Sequence, residues 1–394
     1  MEGHPELVID LDAITANAAA LVRHVDGAAV MAVVKSDGYG HGMLPTAVAA
    51  LAGGATWLGV VQVADALALR QAGITAPVLC LLGAPDVPHE DAIAAEIDLT
   101  AGTSALVGQI AAAARRAGRQ ARLHLEADTG MGRGGATDAD WPGVVRAALA
   151  AEAAGDAVVV GIWSHFACAD MPGHASIPQQ LAAFRAAVDH AEQAGARPQV
   201  RHMANTPATL TIPESWFDLV RPGGAIVGLS TLPGGAPDWL RPAMTLRARL
   251  IQVKQVPAGS PVSYGHRYRT PGPGTLGVIP LGYNEGIPRL ASNTAQVSVR
   301  GRRFTLAGTV NMNQVIVDFG DLAAETGDEV ILFGPGDAGE PTAQEWADAL
   351  GTLSYEIVTR FTAKVPRTYR GVTSGQDPAL AGDGRTHEQV GAAH

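Results

Sequence analysis

Between residues 28 and 225 short apolar runs alternate with alanine-rich stretches whose apolar positions fall three and four residues apart. The runs are AVMAVVK (29–35), TWLGVVQ (56–62), PVLCLLG (77–83), IDLTA (97–101), ARLHLEA (121–127), AVVVGIWSHF (157–166), QVRHMA (199–204) and FDLVRPG (217–223). They are apolar on consecutive positions, as parallel strands buried on both faces are. The clearest helix spans 177–195, with Leu181, Phe184, Val188 and Ala191 on one face and Gly195 at its end. Eight strand–helix repeats over such a length predict an α/β fold, an N-terminal (β/α)8 TIM barrel. An open doubly wound sheet is the rival, but its G-x-G-x-x-G fingerprint is missing from the first strand–helix turn.

After Pro233 the texture changes. PGGAPDW is rich in chain breakers, and TLRARLIQVKQV, GTLGVIPLG, TAQVSVRG, FTLAGTVNMNQVIVDFG and DEVILFG follow, separated by Gly, Pro and Asp turns. They predict a C-terminal mostly-β domain interrupted by one short helix, TAQEWADAL. The expected organisation is a barrel over 1–233, a β domain over 236–371, and a polar, Gly/Ala-rich, disordered tail over 372–394.

The 394 residues carry a net charge of −10, which argues against a nucleic-acid or anionic-membrane partner. Two cysteines make no disulfide framework, and the acidic N-terminus lacks a signal-peptide core; a cytoplasmic location is expected. No uncharged apolar run is long enough to span a bilayer. His165, Cys168 and His174 have metal-like spacing, but no fourth ligand stands out, and no metal site is expected.

Barrel chemistry sits at the C-terminal ends of strands. Lys35, Arg133, His165, Asn205 and Arg221 each follow or close an apolar run there. Lysine is scarce, with only Lys35, Lys254 and Lys364. Burial and nearby arginines disfavour an ammonium, and a neutral lysine amine is a nucleophile for carbonyls, the aldehyde of pyridoxal phosphate among them. Taken alone, each residue has a blander reading: a salt-bridged lysine, a rim arginine, a tyrosine packed in a β segment.

AVVKSDGYGHG (32–42) resembles the pyridoxal-phosphate attachment motif of the alanine racemase family, the fold-type III enzymes. EADTGMGR (126–133), WSHFACAD (163–170), HMANTPATL (202–210) and LVRPGGAIVGLS (219–230) resemble its further barrel motifs in order. PVSYGHRY (261–268), PLGYNEGIPR (280–289), GTVNMNQVIVD (308–318) and YEIVTRFTAKVPR (355–367) resemble its β-domain motifs. The resemblance implies pyridoxal 5′-phosphate as cofactor, attached at Lys35, which is also one catalytic base. It implies Tyr264, reaching over from the partner of a homodimer, as the other. Tyr39, Thr206, Gly223, Gly224 and Tyr355 are implied to hold the phosphate, with Asn205 among the cofactor contacts. Arg221 would face the pyridine nitrogen, His165 would link Arg221 to Tyr264, and Arg133 and the Met312 backbone would receive the substrate carboxylate.

Two bases on opposite faces of Cα suffice to racemise a small amino acid. A phenol with its usual pKa of about 10 needs neighbouring positive charge to act as a base near neutrality. An arginine opposite the pyridine nitrogen stays charged, keeps that nitrogen unprotonated and weakens the electron sink. Asp128 is expected to be a structural turn carboxylate.

The chain departs from the family pattern at Glu126, where many relatives carry a carbamylated lysine, and Glu126 is expected to orient Arg133 directly. It also departs at Asn313 (usually aspartate), Gly224 (often aliphatic), Val227 (often tyrosine), His266 and the PLGYNEG segment. The leading expectation is conversion of L-alanine to D-alanine, and the departures admit serine or another small amino acid instead. A fold-type III decarboxylase would need an active-site cysteine motif that is missing from the β domain. A non-catalytic pyridoxal-phosphate-binding protein would consist of the barrel alone.

Overall fold

The computed structural model describes residues 5–371 apart from Thr362; the tail expected over 372–394 lies outside the described residues. The chain opens with strand β1 (Glu6–Asp10) and the helix Leu11–His24, capped by the Asp10 carboxylate, which accepts from the Ala13 N–H at 2.9 Å. Then come eight parallel strands, each at one of the apolar runs: β2 (Ala29–Val33), β3 (Trp57–Val60), β4 (Val78–Cys80), β5 (Asp98–Ala101), β6 (Ala121–Glu126), β7 (Ala157–Trp163), β8 (Val200–His202) and β9 (Leu219–Val220).

The sheet order is β8-β7-β6-β5-β4-β3-β2-β9. Between β8 and β9 the ring closes through two backbone hydrogen bonds, Asp218 N–H to the Arg201 carbonyl at 3.1 Å and Arg221 N–H to the Ala204 carbonyl at 2.9 Å. The result is a (β/α)8 barrel. Its helix Ser176–Gln193 buries Leu181, Phe184, Val188 and Ala191, the face its periodicity marks.

Eleven segments follow as the second, mostly-β part: β10 (Met244–Arg249), β11 (Gln252–Val256), β12 (Pro261–Val262), β13 (Tyr268–Arg269), β14 (Gly274–Ile279), β15 (Gln296–Val299), β16 (Arg302–Thr305), β17 (Val315–Asp318), β18 (Glu329–Phe333), the helix Ala343–Leu350 and β19 (Arg367–Arg370). Among the described residues they form a six-stranded sheet (β16-β15-β18-β10-β1-β19), a three-stranded sheet (β11-β14-β17) and a two-stranded ribbon (β12-β13). The helix Ala343–Leu350 has a reciprocal capping box between Thr342 and Glu345.

Strand β1 precedes the barrel in sequence but lies in the six-stranded sheet, antiparallel to β10 and parallel to β19. Its Leu7 and Ile9 are fully buried there, so the first and last described strands share one sheet. The run FTLAGTVNMNQVIVDFG divides into β16 and β17. Between them Gly308 takes φ +82°, a conformation that glycine adopts without strain, and the loop carries Met312 outward.

A second short helix, Ser354–Thr359, was not visible in the sequence pattern. Six residues are too few for an apolar period to show. Buried Asn17 ties the barrel's rim to the linker: its amide donates to the carbonyls of Ile226 (3.2 Å) and Arg241 (2.8 Å), and its oxygen accepts from the Arg241 N–H (2.8 Å).

Candidate active site

The first strand–helix connection of the barrel does not simply turn. After Lys35 the residues Ser36, Asp37, Gly38 and Tyr39 all take φ between +54° and +62°, one turn of left-handed helix, and Gly40 follows at +81°. For Ser36, Asp37 and Tyr39 this costs about 1–2 kcal/mol each. Local bonds offset it. The Asp37 carboxylate accepts from the Met43 N–H (2.8 Å) and pairs with Arg367 on β19 (2.9 Å), while Arg367 Nε also donates to the Gly40 carbonyl (2.8 Å). His41 Nδ1 lies 3.1 Å and 2.9 Å from the Gly38 and Tyr39 carbonyls, so it carries the ring proton; burial pushes this imidazole down to about 4 and keeps it neutral. The turn leaves the Lys35 side chain at the mouth of the barrel and swings Tyr39 to the same side.

Both line a cavity of ≈ 580 Å³ at the C-terminal ends of the strands. Glu126, Arg133, His165, Asn205, Thr206, Arg221, Gly223 and Tyr355 share its wall. Burial depresses the pKa of Lys35, and the charges of Arg133 and Arg221 depress it further, which favours the free amine.

Arg221 is buried and has no carboxylate partner among the described residues. Its Nη1 donates to His202 Nδ1 (3.0 Å), and its Nη2 to the carbonyls of Ser164 (2.7 Å) and Met203 (3.2 Å) and to His165 Nδ1 (3.2 Å). The guanidinium also lies 4.8 Å over the Trp163 ring. Burial lowers its pKa to about 9, which leaves it charged at neutral pH. His165, accepting at Nδ1, is held neutral by burial and by the charges of Arg221, Arg133 and Lys35.

On the opposite wall Thr206 Oγ1 accepts from the N–H groups of Gly223 (3.0 Å) and Ala225 (3.4 Å), joining the loops after β8 and β9. The Asn205 oxygen caps the following helix through the Ala208 N–H (3.2 Å). Tyr39 and Tyr355 meet edge to face at 5.4 Å, and burial raises the pKa of both phenols. Among the described residues the Tyr355 hydroxyl is buried with no partner in hydrogen-bonding geometry, although the Thr206 hydroxyl lies nearby. A side chain at Gly223 would put its Cβ 2.2 Å from the Tyr39 hydroxyl, and one at Gly224 would lie 2.1 Å from that of Tyr355. The missing side chain at Gly224 therefore leaves no open volume, because Tyr355 fills it, and the two glycines are what admit the two phenols.

Glu126 lines the cavity but makes no ion pair or hydrogen bond with Arg133, contrary to the expected direct contact. Burial raises its carboxyl to about 7, against the pull of Arg133 and Arg221. Asp128 is the turn carboxylate that was expected: it accepts from the N–H groups of Gly130 (3.0 Å), Met131 (3.0 Å) and Gly132 (3.1 Å) in the loop that delivers Arg133. Val227 is buried in the turn Gly224–Val227. Asn313 donates to Glu285 (2.7 Å), which also accepts from Asn284 (2.8 Å), so two of the departures from the family pattern bond to each other on the β domain.

Tyr264 and Met312 stand apart from the cavity of their own chain. Tyr264 is 72% exposed and Met312 55%. Tyr264 is nonetheless rigidly presented. Ser263 before it sits at φ +61° with its hydroxyl on the Thr309 carbonyl (2.5 Å), and Thr309 Oγ1 donates to the Tyr264 carbonyl (2.9 Å). Reasoning from the sequence missed Trp163 beneath Arg221, and His202, His124 and Asp98 behind it. Two histidines inside apolar strands, at ARLHLEA and QVRHMA, were the available signal.

A closed barrel with a lysine-centred cavity and an appended β domain is the architecture of a two-domain barrel enzyme. The chain belongs to the alanine racemase family: residues 9–231 match the alanine racemase N-terminal domain and 243–369 the C-terminal domain. It is 57% identical to the alanine racemase of Frankia casuarinae over 92% of this chain and 95% of that protein. It is 55% identical to that of Thermobifida fusca over 94% and 99%. The solved alanine racemase of Streptomyces coelicolor A3(2) superposes with a TM-score of 0.91 at 52% identity, covering 93% of this chain and 98% of that one. The alanine racemase of a D-cycloserine-producing Streptomyces lavendulae superposes with a TM-score of 0.92 at 49% identity, covering 94% and 98%.

Proposed function

We propose that the protein racemises alanine with pyridoxal 5′-phosphate as cofactor, using Lys35 and the partner subunit's Tyr264 as its two bases. The observation that carries this reading is the pairing, across one cavity, of an amine whose pKa is depressed with a buried phenol that has no partner. An orphaned buried hydroxyl costs about 1–3 kcal/mol and calls for a ligand acceptor. A phosphate between Tyr39, Tyr355, Thr206 and the Gly223–Gly224 backbone meets that need, so the residues present fit this cofactor. When bound, it would supply the electron sink that makes a Cα proton removable.

Lys35, its ammonium disfavoured by burial and by the charges of Arg133 and Arg221, takes or returns a proton on one face of Cα. Tyr264 is exposed on its own chain and serves the other face of a neighbour's site. Arg133, which pairs with no carboxylate among the described residues, binds the substrate carboxylate together with the N–H of the partner subunit's Met312. Arg221 is locked by four acceptors and keeps its charge fixed opposite the cofactor ring nitrogen. Neutral His165 relays this order from Arg221 toward Tyr264. The shifted-specificity reading loses support at Gly224, where the space is taken by Tyr355, and at Asn313, whose amide is turned to Glu285.

Incubation with L-alanine in heavy water, cofactor added, tests this. Deuterium is expected at Cα together with loss of optical activity. Release of carbon dioxide would instead mark a decarboxylase, and absence of exchange a non-catalytic binder.

A further inference from the structure

Behind Arg221 a single file of buried side chains crosses the barrel interior. His202 Nε2 lies 2.8 Å from His124 Nδ1, and His124 Nε2 lies 3.1 Å from Asp98 Oδ2. Asp98 is held in turn by Arg122, through Nε to Oδ1 at 2.5 Å and Nη2 to Oδ2 at 3.3 Å. Asp98 and both histidines are at most 1% exposed. Asp98 opens β5 and His124 sits mid-strand on β6, so the file runs from the foot of the barrel to the mouth.

The hydrogen-bond directions in this file admit one arrangement. Arginine can only donate, so His202 Nδ1 must accept and its proton must sit on Nε2. That proton points at His124 Nδ1, which accepts in turn, leaving the second proton on His124 Nε2, aimed at a carboxylate that can only accept. Every link thus depends on the last member being acceptor-only. An amide there would reverse the file. Its oxygen would stay on Arg122 Nε, the shorter of the two contacts, its NH₂ would face His124 Nε2 and give up the longer bond from Arg122 Nη2, both ring protons would move to Nδ1, and His202 would confront Arg221 donor to donor.

We propose that Asp98 is a positioning residue: through His124 and His202 it fixes the acceptor that orients Arg221 at the cofactor ring. The role of Arg221 at the ring rests on the proposed function, but the proton order can be read without turnover. The test is ¹⁵N NMR of ring-labelled histidines, on cofactor-free and cofactor-loaded protein, with His124 and His202 assigned by single substitution.

In the wild type both rings are expected to be protonated at Nε2. In Asp98→Asn both are expected to shift to Nδ1, with the absorption of bound cofactor altered and kcat for alanine lowered about 10–100-fold, the cost of losing an orienting outer contact. A wild-type proton on Nδ1 of either ring overturns the proposal even if the variant does not fold. So do unshifted tautomers in Asp98→Asn, or shifted tautomers with unchanged kcat. Absence of racemisation by the wild type would sink the functional reading while leaving the ring-proton result standing on its own.

Discussion

Tyr355 shows how one side chain is asked to serve two states. Its ring packs on Tyr39 and occupies the space beside Gly224, while its hydroxyl is buried and unmatched. Removing only that oxygen should relieve the folded protein and weaken the site. Tyr355→Phe is expected to stabilise the cofactor-free protein by about 1 kcal/mol in urea unfolding and to weaken binding of the cofactor about tenfold, read by fluorescence titration. Destabilisation of the cofactor-free protein would mean that the hydroxyl has a partner after all.

At the scale of elements the left-handed turn after Lys35 is the costly piece, and β19 is its brace. Arg367 reaches back to Asp37 and to the Gly40 carbonyl, so the last strand holds the first connection of the barrel. Arg367→Ala is expected to lower stability by about 1–2 kcal/mol, because a half-buried charged donor leaves two acceptors behind. The exposed Arg116, paired with Glu90, serves as control, and Arg116→Ala should change stability by less than about 0.5 kcal/mol. Equal effects of the two substitutions in parallel denaturation curves would remove Arg367 from the turn's support.

At the scale of the whole molecule the two proposed bases lie apart on one chain. Lys35 lines a cavity that Tyr264 of the same chain does not reach, and Tyr264 and Met312 are held outward on the β domain. A two-fold pair in which each β domain closes the other's barrel mouth satisfies both. Mixing inactive Lys35→Ala with inactive Tyr264→Phe under subunit exchange should restore about a quarter of wild-type activity, since half the dimers would carry one intact site of two. Activity that stays at the level of the separate variants would show that both bases come from one chain.

Most of the barrel strands were legible because they are buried on both faces and so largely apolar over consecutive positions, although β5, β6 and β8 carry Asp98, His124 and Arg201, and the rim residues Lys35, His165 and Arg221 stood out as polar groups closing such runs. The membership of β1 in the second sheet was not legible, since a five-residue apolar strand carries no record of its pairing partner. The helix bearing Tyr355 was too short to declare a period.

By itself, then, the sequence determined the alternation that builds a barrel, the β texture beyond it, and the residue types at the rim. These are properties of local pattern, and burial enforces local pattern directly. Only the tertiary structure decided that Gly223 and Gly224 make room for two phenols, that Glu126 stands unpaired with Arg133, and that Arg221 rests on a file of imidazoles ending at Asp98. Most of those relations join residues well separated along the chain. They are set by the directions in which donors and acceptors meet inside a closed barrel, which no spacing along the chain encodes.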